Sequence, residues 1–207
     1  MLRIISDGIN YAFGLTLLGL ALSYFLNPWL GTPLYLVALF CLWFFRDPNR
    51  KVPPGDVLVS PADGKIVSIR NVSGETRVSV FLNIFNVHVN RSPAAGRITG
   101  IRYEKGKFRV ASLDEASSEN EKNTITLDVG GGTVVFSQIA GLIARRIVCY
   151  KQVGDIVAAG ERVGLIKFGS RVDVFFGPDW LLEVKTGQRV FAGSSVLARR
   201  VENGAAL

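Results

Sequence analysis

The sequence predicts a mainly β (α+β) chain, in which a compact β domain follows an N-terminal helical membrane hairpin. Three observations carry that reading. No charged side chain occurs from Gly8 to Phe45. After Pro53 and Pro54 the chain turns to short Val- and Ile-rich runs punctuated by glycine. Two glycine-bounded units, Gly154–Gly160 (GDIVAAG) and Gly187–Gly193 (GQRVFAG), also repeat one internal spacing.

The charge-free segment, flanked by Asp7 and Arg46, divides into apolar stretches at Ile9–Leu26 and Leu34–Phe45, joined by a break containing Pro28, Gly31 and Pro33. A membrane-crossing helix needs about 20 residues. The first stretch has that length; the second either uses part of the break to cross or only re-enters. Tyr24, Trp29 and Trp43 suit an interfacial aromatic belt. Arg3 precedes the pair, Arg46, Arg50 and Lys51 follow it, and the connection is uncharged. The positive-inside bias therefore places both ends in the cytoplasm, with the β domain on the cytoplasmic face of the inner (plasma) membrane. The rival reading is a signal peptide cut near Ala21-Leu22-Ser23. It leaves the second apolar stretch unexplained. The expected division is a hairpin at 1–50 and a β domain at 51–207.

A chain of 207 residues can bury one good core and carry an appendage. Its net charge is +7, yet no Lys/Arg run is interleaved with stacking aromatics. Nucleic acid is not an expected partner, whereas an anionic lipid surface is. Cys41 and Cys149 lack metal-type or redox-type neighbours and read as reduced, buried fillers. The single histidine excludes a His-rich zinc site, and no metal is expected. A homo-oligomer is compatible with this composition.

Strand-like runs fall at Val57–Ser60, Lys65–Val72, Thr76–Leu82, Val87–Asn90, Thr124–Val129 and Thr133–Ile139. The polar stretch Asp114–Asn123 reads as a solvated loop. The two glycine-bounded units, with a weaker echo at Pro54–Val57, resemble the turn-into-strand units of lipoyl and biotinyl domains. That resemblance implies a barrel-sandwich-like architecture with lipoyl-like repeats. The modifiable lysine of those domains has no counterpart here.

Three polar segments stand out: Ser60–Lys65 (SPADGK), Val87–Pro93 (VHVNRSP) and Ile166–Val174 (IKFGSRVDV). Each has an ordinary structural explanation. Asp-Gly is turn chemistry, a lone histidine in a strand is commonly a core residue, and Gly-Ser joins many strands. Together they supply an activated serine: a hydroxyl, an imidazole to take its proton, and a carboxylate to orient and balance the imidazole. Phe168–Val172 does not match the Gly-x-Ser-x-Gly elbow of hydrolases.

The set resembles the phosphatidylserine decarboxylase family in its short form with an N-terminal hydrophobic hairpin. The likeness covers nearly the whole chain. It adds Phe44–Pro48, Ala111–Asp114 with Asn120-Glu121, Gln138–Gly141, Ala144–Val148 and Gly164–Val174 to the segments above. It implies a self-processing zymogen, a carboxy-lyase of phospholipid biosynthesis. Ser170 stands at the family's processing serine, and Asp63 and His88 at the aspartate and histidine that activate it. The Ser170 hydroxyl would attack the Gly169 carbonyl, and cleavage at Gly169–Ser170 would leave a β chain of 1–169 and an α chain of 170–207. Ser170 would become a covalent pyruvoyl cofactor. Through a Schiff base with the substrate amine, that group would convert phosphatidylserine to phosphatidylethanolamine and CO₂.

Longer members carry a second histidine where this chain has Phe85. Gly193-Ser194 is a second Gly-Ser pair, but the repeat aligns Gly193 with Gly160, where Glu161 follows, so a turn there needs no serine. Arg91, Arg145, Arg146 and Arg171 are candidates for the headgroup phosphate or carboxylate. Two rival functions stand beside this one: a membrane-tethered lipoyl-like binding module, which predicts an intact chain, and a pyruvoyl decarboxylase of another amino acid.

Overall fold

The computed structural model describes residues 2–106, 119–141, 146–167 and 169–201. The chain divides into two units, Met1–Asn49 and Arg50–Leu207.

In the first unit, strands β1 (Leu2–Ile4) and β2 (Arg46–Pro48) pair antiparallel, with Arg3 opposite Asp47. Between them lie helix α1 (Ser6–Phe25), a 3₁₀ turn at Pro28–Leu30 and helix α2 (Thr32–Phe44). The Asn27 side chain accepts from the Trp29 amide at 2.9 Å, and Pro28 opens the turn. At about 1.5 Å per residue α1 is long enough for a bilayer core of about 30 Å, and α2 is not. Among the described residues α1 is the one helix long and apolar enough to cross a membrane. The helices pack closely because small residues line their contact. A Cβ at Gly19 would lie 2.7 Å from the Tyr35 ring, and one at Gly31 would lie 2.5 Å from the Gly19 carbonyl oxygen. Phe13, Leu17, Leu20, Leu36 and Leu39 remain exposed, a surface that suits lipid better than water.

The second unit holds β3 (Val57–Val59), β4 (Gly64–Val72), β5 (Glu75–Leu82), β6 (Val89–Arg91), β7 (Gly96–Glu104), β8 (Lys122–Asp128) and β9 (Thr133–Ala140). They are followed by β10 (Ile147–Cys149), β11 (Ile156–Val157), β12 (Arg162–Ile166), β13 (Ser170–Phe176), β14 (Trp180–Leu182), β15 (Arg189–Val190) and β16 (Val196–Arg200). One curled eight-stranded sheet has the order β11-β7-β8-β9-β13-β5-β4-β15; two three-stranded sheets run β10-β12-β6 and β14-β16-β3. The described ladders are antiparallel. The chain is thus mainly β, as expected from its glycine-punctuated runs.

Strand alternation builds the core. On β13, Val172, Val174 and Phe176 face inward beside Val78, Val80 and Leu82 of β5 and Val134 and Phe136 of β9. Each such buried side chain contributes roughly 1.5–3 kcal/mol. The loop expected at Asp114–Asn123 is only partly within the described residues. There, Asn120 is buried with its amide donating to the Ala140 carbonyl at 2.7 Å, and β8 already begins at Lys122. Cys41 and Cys149 are free thiols and half-buried.

The unit has an internal pseudo-two-fold that extends the glycine repeat. Ser60-Pro61-Ala62-Asp63-Gly64-Lys65-Ile66 has a twin in Ser92-Pro93-Ala94-Ala95-Gly96-Arg97-Ile98. Gly193 donates to the Ser60 carbonyl and Gly160 to the Ser92 carbonyl, both at 2.8 Å. Gly187 and Gly154 donate to the carbonyls of Ile66 and Ile98, again both at 2.8 Å. The glycines match in conformation: φ is +90° and +99° at Gly187 and Gly154, and +71° and +72° at Gly193 and Gly160. These are left-handed values that favour glycine. One repeat thereby forms each edge of the large sheet, through β11 and β15.

Candidate active site

Ser170, His88 and Asp63 each sit where the large sheet hands over to a smaller one. Ser170 opens β13, opposite Leu82 of β5 on one side and Ala140 of β9 on the other. From Leu82 the chain turns through Asn83–Asn86 to His88, whose carbonyl accepts from the Ile166 amide at 3.3 Å. From Ile166 the chain returns to Ser170. The ends of these two connections are therefore pinned to each other, Leu82 to Ser170 and His88 to Ile166.

Ser170 is fully buried, on the face of β13 that carries Val172 and Val174. Its hydroxyl has no hydrogen-bond partner among the described residues. A buried hydroxyl is normally paired, so this one is available for chemistry. Gly169 before it has φ +53° and open space around a notional Cβ. Its carbonyl carbon is thus approached past a residue with no side chain.

The Asn83–Asn86 turn positions His88. Asn86 donates its amide to the Asn83 carbonyl at 3.0 Å, and the Asn83 and Phe85 amides donate to the Asn86 and Asn83 side-chain oxygens, both at 2.9 Å. His88 is buried, and its Nδ1 lies 2.9 Å from the Asn86 carbonyl oxygen. A carbonyl can only accept, so Nδ1 carries the proton in that bond. Nε2 is then the basic nitrogen of the neutral ring.

Asp63 ends the loop that leads into β4. Gly64 must be glycine, because a Cβ there would lie 2.1 Å from the Phe81 carbonyl oxygen. The Asp63 carboxylate is buried; it accepts from the Ala192 amide at 2.8 Å and from Arg50 Nη2 at 2.7 Å. Arg50 also lies over the Phe191 ring, 5.4 Å from its centre. With Lys65 opposite Phe81 and Ser170 opposite Leu82, the Asp63 loop and Ser170 flank the same strand end. Their backbones are on the order of 10 Å apart, two strand spacings.

A chain of buried amides leads toward the same region. Asn123 donates to Gln138 at 3.0 Å, and Gln138 donates to Asn90 at 2.9 Å. The Asn90 amide nitrogen ends the chain with no partner among the described residues. It is a ready donor for a carbonyl, two residues beyond His88.

The expected headgroup arginines are dispersed. Arg91 Nη1 donates to the Gly160 carbonyl at 3.0 Å. Arg171 is fully buried and donates to Asp173 and to the Ser79 hydroxyl, both at 2.6 Å. Arg146 is exposed, and Arg145 lies outside the described residues. Arg50 and Asn86 were not singled out in the sequence. An arginine that pairs with a residue 13 positions away leaves no local signature.

Two cavities matter by contrast. The larger, about 520 Å³, is lined by Arg102, Glu104, Lys122, Thr124, Ser137 and Phe175 among others. Phe175 lies roughly 17 Å along β13 from Ser170, so this cavity is remote from the serine. Its two cations already share a carboxylate: Glu104 pairs with Arg102 at 2.5 Å and Lys122 at 3.2 Å, and these partners, Arg102 first, hold its carboxyl below the usual range. The smaller, about 320 Å³, is lined by Gly64, Lys65, Phe81, Asn83, Phe85, Asn86 and Arg189–Phe191. It adjoins both the Asp63 loop and the His88 turn.

Comparison with known proteins bears on the chain as a whole. A family model described as phosphatidylserine decarboxylase matches residues 37–198. A phosphatidylserine decarboxylase proenzyme of Solibacter usitatus is 55% identical over 97% of this chain and 98% of its own length. Proenzymes of the same name from Syntrophus aciditrophicus and Magnetococcus marinus are 44% and 43% identical, each over 92% of this chain and 94% and 93% of their own lengths. Identity of this extent, spanning the hairpin and the β unit alike, means that this chain is a decarboxylase of the phosphatidylserine decarboxylase family.

Proposed function

We propose that the chain cleaves itself between Gly169 and Ser170 and then decarboxylates phosphatidylserine to phosphatidylethanolamine at the cytoplasmic face of a membrane. The observation that carries this reading is the fully buried Ser170 hydroxyl, unpartnered among the described residues, behind a left-handed Gly169.

His88 Nε2 takes the Ser170 hydroxyl proton as Oγ attacks the Gly169 carbonyl carbon. The proton passes to the amide nitrogen as the C–N bond breaks, which turns the peptide bond into an ester. Asp63, which accepts from Arg50 and the Ala192 amide, favours the imidazolium that forms in between. Loss of the Ser170 Cα proton then expels the Gly169 carboxylate and leaves dehydroalanine. One water converts that residue to a pyruvoyl group and releases ammonia. Ser170 would hold the pyruvoyl group, which would supply a carbonyl for the substrate amine and an electron sink for decarboxylation. The residues at hand fit such a group: Ser170 is buried at a strand start, on the face of β13 that carries Val172 and Val174. The apolar α1 supports a lipid substrate, because it holds the chain at the layer where headgroups lie.

Intact-mass analysis of the full chain tests the reading. Two fragments dividing after Gly169, the smaller resistant to Edman degradation, are the expected result, and Ser170→Ala should give one uncut chain of 22.5 kDa. Wild-type protein that stays whole would refute it.

A further inference from the structure

We propose that Lys65 and Arg189 form a subsite for the phosphodiester of the lipid headgroup, in the cavity bordered by Phe85 and Phe191; this rests on the decarboxylase reading above and names where its substrate's phosphate sits.

The first observation is a charge left without a counterpart. Lys65 on β4 stands directly opposite Arg189 on β15. Like charges directly opposite one another on an antiparallel pair are destabilising. Neither side chain has a hydrogen bond or ion pair among the described residues, and no carboxylate lines the cavity they share. An anion between them would remove the repulsion and gain two charge-assisted contacts.

The pseudo-symmetric twin provides the control. There Arg97 occupies the position of Lys65, and its partner across the ladder is Ile156 rather than a second cation. Arg97 Nη1 donates to the Gly154 carbonyl at 3.2 Å. The same backbone thus accommodates one cation bonded internally in one half and two unpartnered cations in the other. The fold does not require the pair.

The remaining polarity of the cavity is of the same sense. The Asn83 and Asn86 side-chain oxygens each accept a backbone amide of the turn, which assigns their NH₂ groups as further donors. Lys65 and Arg189 contribute only donors, and the two NH₂ groups add to them, as a phosphate requires. The rim is apolar: Phe85 is 65% exposed and Phe191 50%. Aromatic rings beside cations at an exposed rim suit the headgroup layer of a bilayer. The cavity meets the Asp63 loop at Gly64 and the His88 turn at Asn83 and Asn86, so a phosphate bound there touches the loop and the turn that carry two of the candidate catalytic residues.

The test uses the full chain carrying Ser170→Ala, purified in detergent and titrated with glycerophosphoserine at low salt. Lys65→Gln with Arg189→Gln should weaken binding about tenfold or more, the loss of roughly one strong contact, and added salt should weaken binding to the unsubstituted pair. The charge-conserving swap Lys65→Arg with Arg189→Lys should retain binding, which separates loss of charge from loss of fold. In cleaved enzyme, normalised to the fraction processed, the double glutamine variant should raise KM for phosphatidylserine in mixed micelles by a similar factor. Unchanged glycerophosphoserine affinity in that variant would overturn the proposal. So would inorganic phosphate binding as tightly as glycerophosphoserine, since the site would then select a free anion and not a headgroup. Failure of the decarboxylase reading is distinguishable: the wild-type chain would stay whole and release no CO₂, whatever the binding result.

Discussion

Ser60-Pro61-Ala62-Asp63-Gly64 and Ser92-Pro93-Ala94-Ala95-Gly96 make the same turn, with the Ser60 and Ser92 hydroxyls donating to the Ala62 and Ala94 carbonyls at the same 2.7 Å. Arg91 donates to the Pro61 carbonyl at 2.9 Å and Val59 to the Pro93 carbonyl at 2.8 Å, so each turn is tied to the other half's strand. The halves part at the fourth residue. Asp63 is buried and held by Arg50, while Ala95 is exposed. Backbone hydrogen bonds define this framework twice over, without help from that side chain. One copy was therefore free to take on a buried carboxylate, whose desolvation a nearby guanidinium and a backbone amide offset.

The largest break in this comparison is Asp63→Ala, which gives one half its twin's sequence. Self-cleavage is expected to slow by about 10²–10⁴-fold, the usual scale for a positioned acid–base group. Removing one partner of a buried pair should also cost about 2 kcal/mol, less than for a fully enclosed pair because Arg50 reaches water. An intact-mass time course and a thermal midpoint measure the two effects. The reciprocal Ala95→Asp, at an exposed site, should alter neither; a processing defect there would show that the halves are not separable.

Next in size are the paired turn glycines. Gly160→Ala should cost about 2 kcal/mol and Gly193→Ala about 1 kcal/mol, since both need left-handed backbone. They differ because the new Cβ at Gly160 would lie 2.5 Å from Val52 Cγ2, whereas at Gly193 it meets the movable Arg91 Cδ at 3.0 Å. Equal costs by denaturant titration would mean that backbone strain alone decides.

The smallest effect separates the two turns by pH. The Ala158 amide donates to the Glu161 carboxylate at 2.8 Å, and the Phe191 amide donates to the Ser195 hydroxyl at 2.9 Å. Lys151 first, and then the Ala158 amide, hold the Glu161 carboxyl below its ordinary value of 4.5. A lowered folded value stabilises above the unfolded value and loses that contribution as pH falls through the folded one. The Ala158 amide should therefore lose hydrogen-exchange protection, once corrected for the intrinsic rate, as pH drops below about 4.5, and the Phe191 amide should not. The exposed pair contributes about 0.5 kcal/mol. Parallel behaviour of both amides would contradict the assignment.

The charge-free run to Phe45, the alternating Val/Ile runs and the glycine spacing were enough to expect a hairpin followed by a mainly β unit, because periodicity and turn conformation act over a few residues. Runs at Lys65–Val72 and Thr133–Ile139 match β4 and β9 to within a residue at each end. The Ser-Pro-Ala repeat is present in the sequence too, but Ala95 stands where its twin has Asp63, so the two copies differ at the candidate catalytic residue. Burial was less legible: the second half of the polar stretch Asp114–Asn123 holds Asn120, whose inward position depends on Ala140, a neighbour only in space.

Residue order alone determined the single histidine, the Gly169–Ser170 pair and the family to which they point. Tertiary structure decided the rest: that the Nδ1 proton of His88 faces Asn86, that Arg50 closes on Asp63, and that Lys65 meets Arg189 across 124 positions of sequence. Local propensity extends over one or two turns of chain, whereas antiparallel pairing brings together residues from anywhere along it. Charge balance, hydrogen-bond satisfaction and cavity shape are therefore properties of the folded neighbourhood.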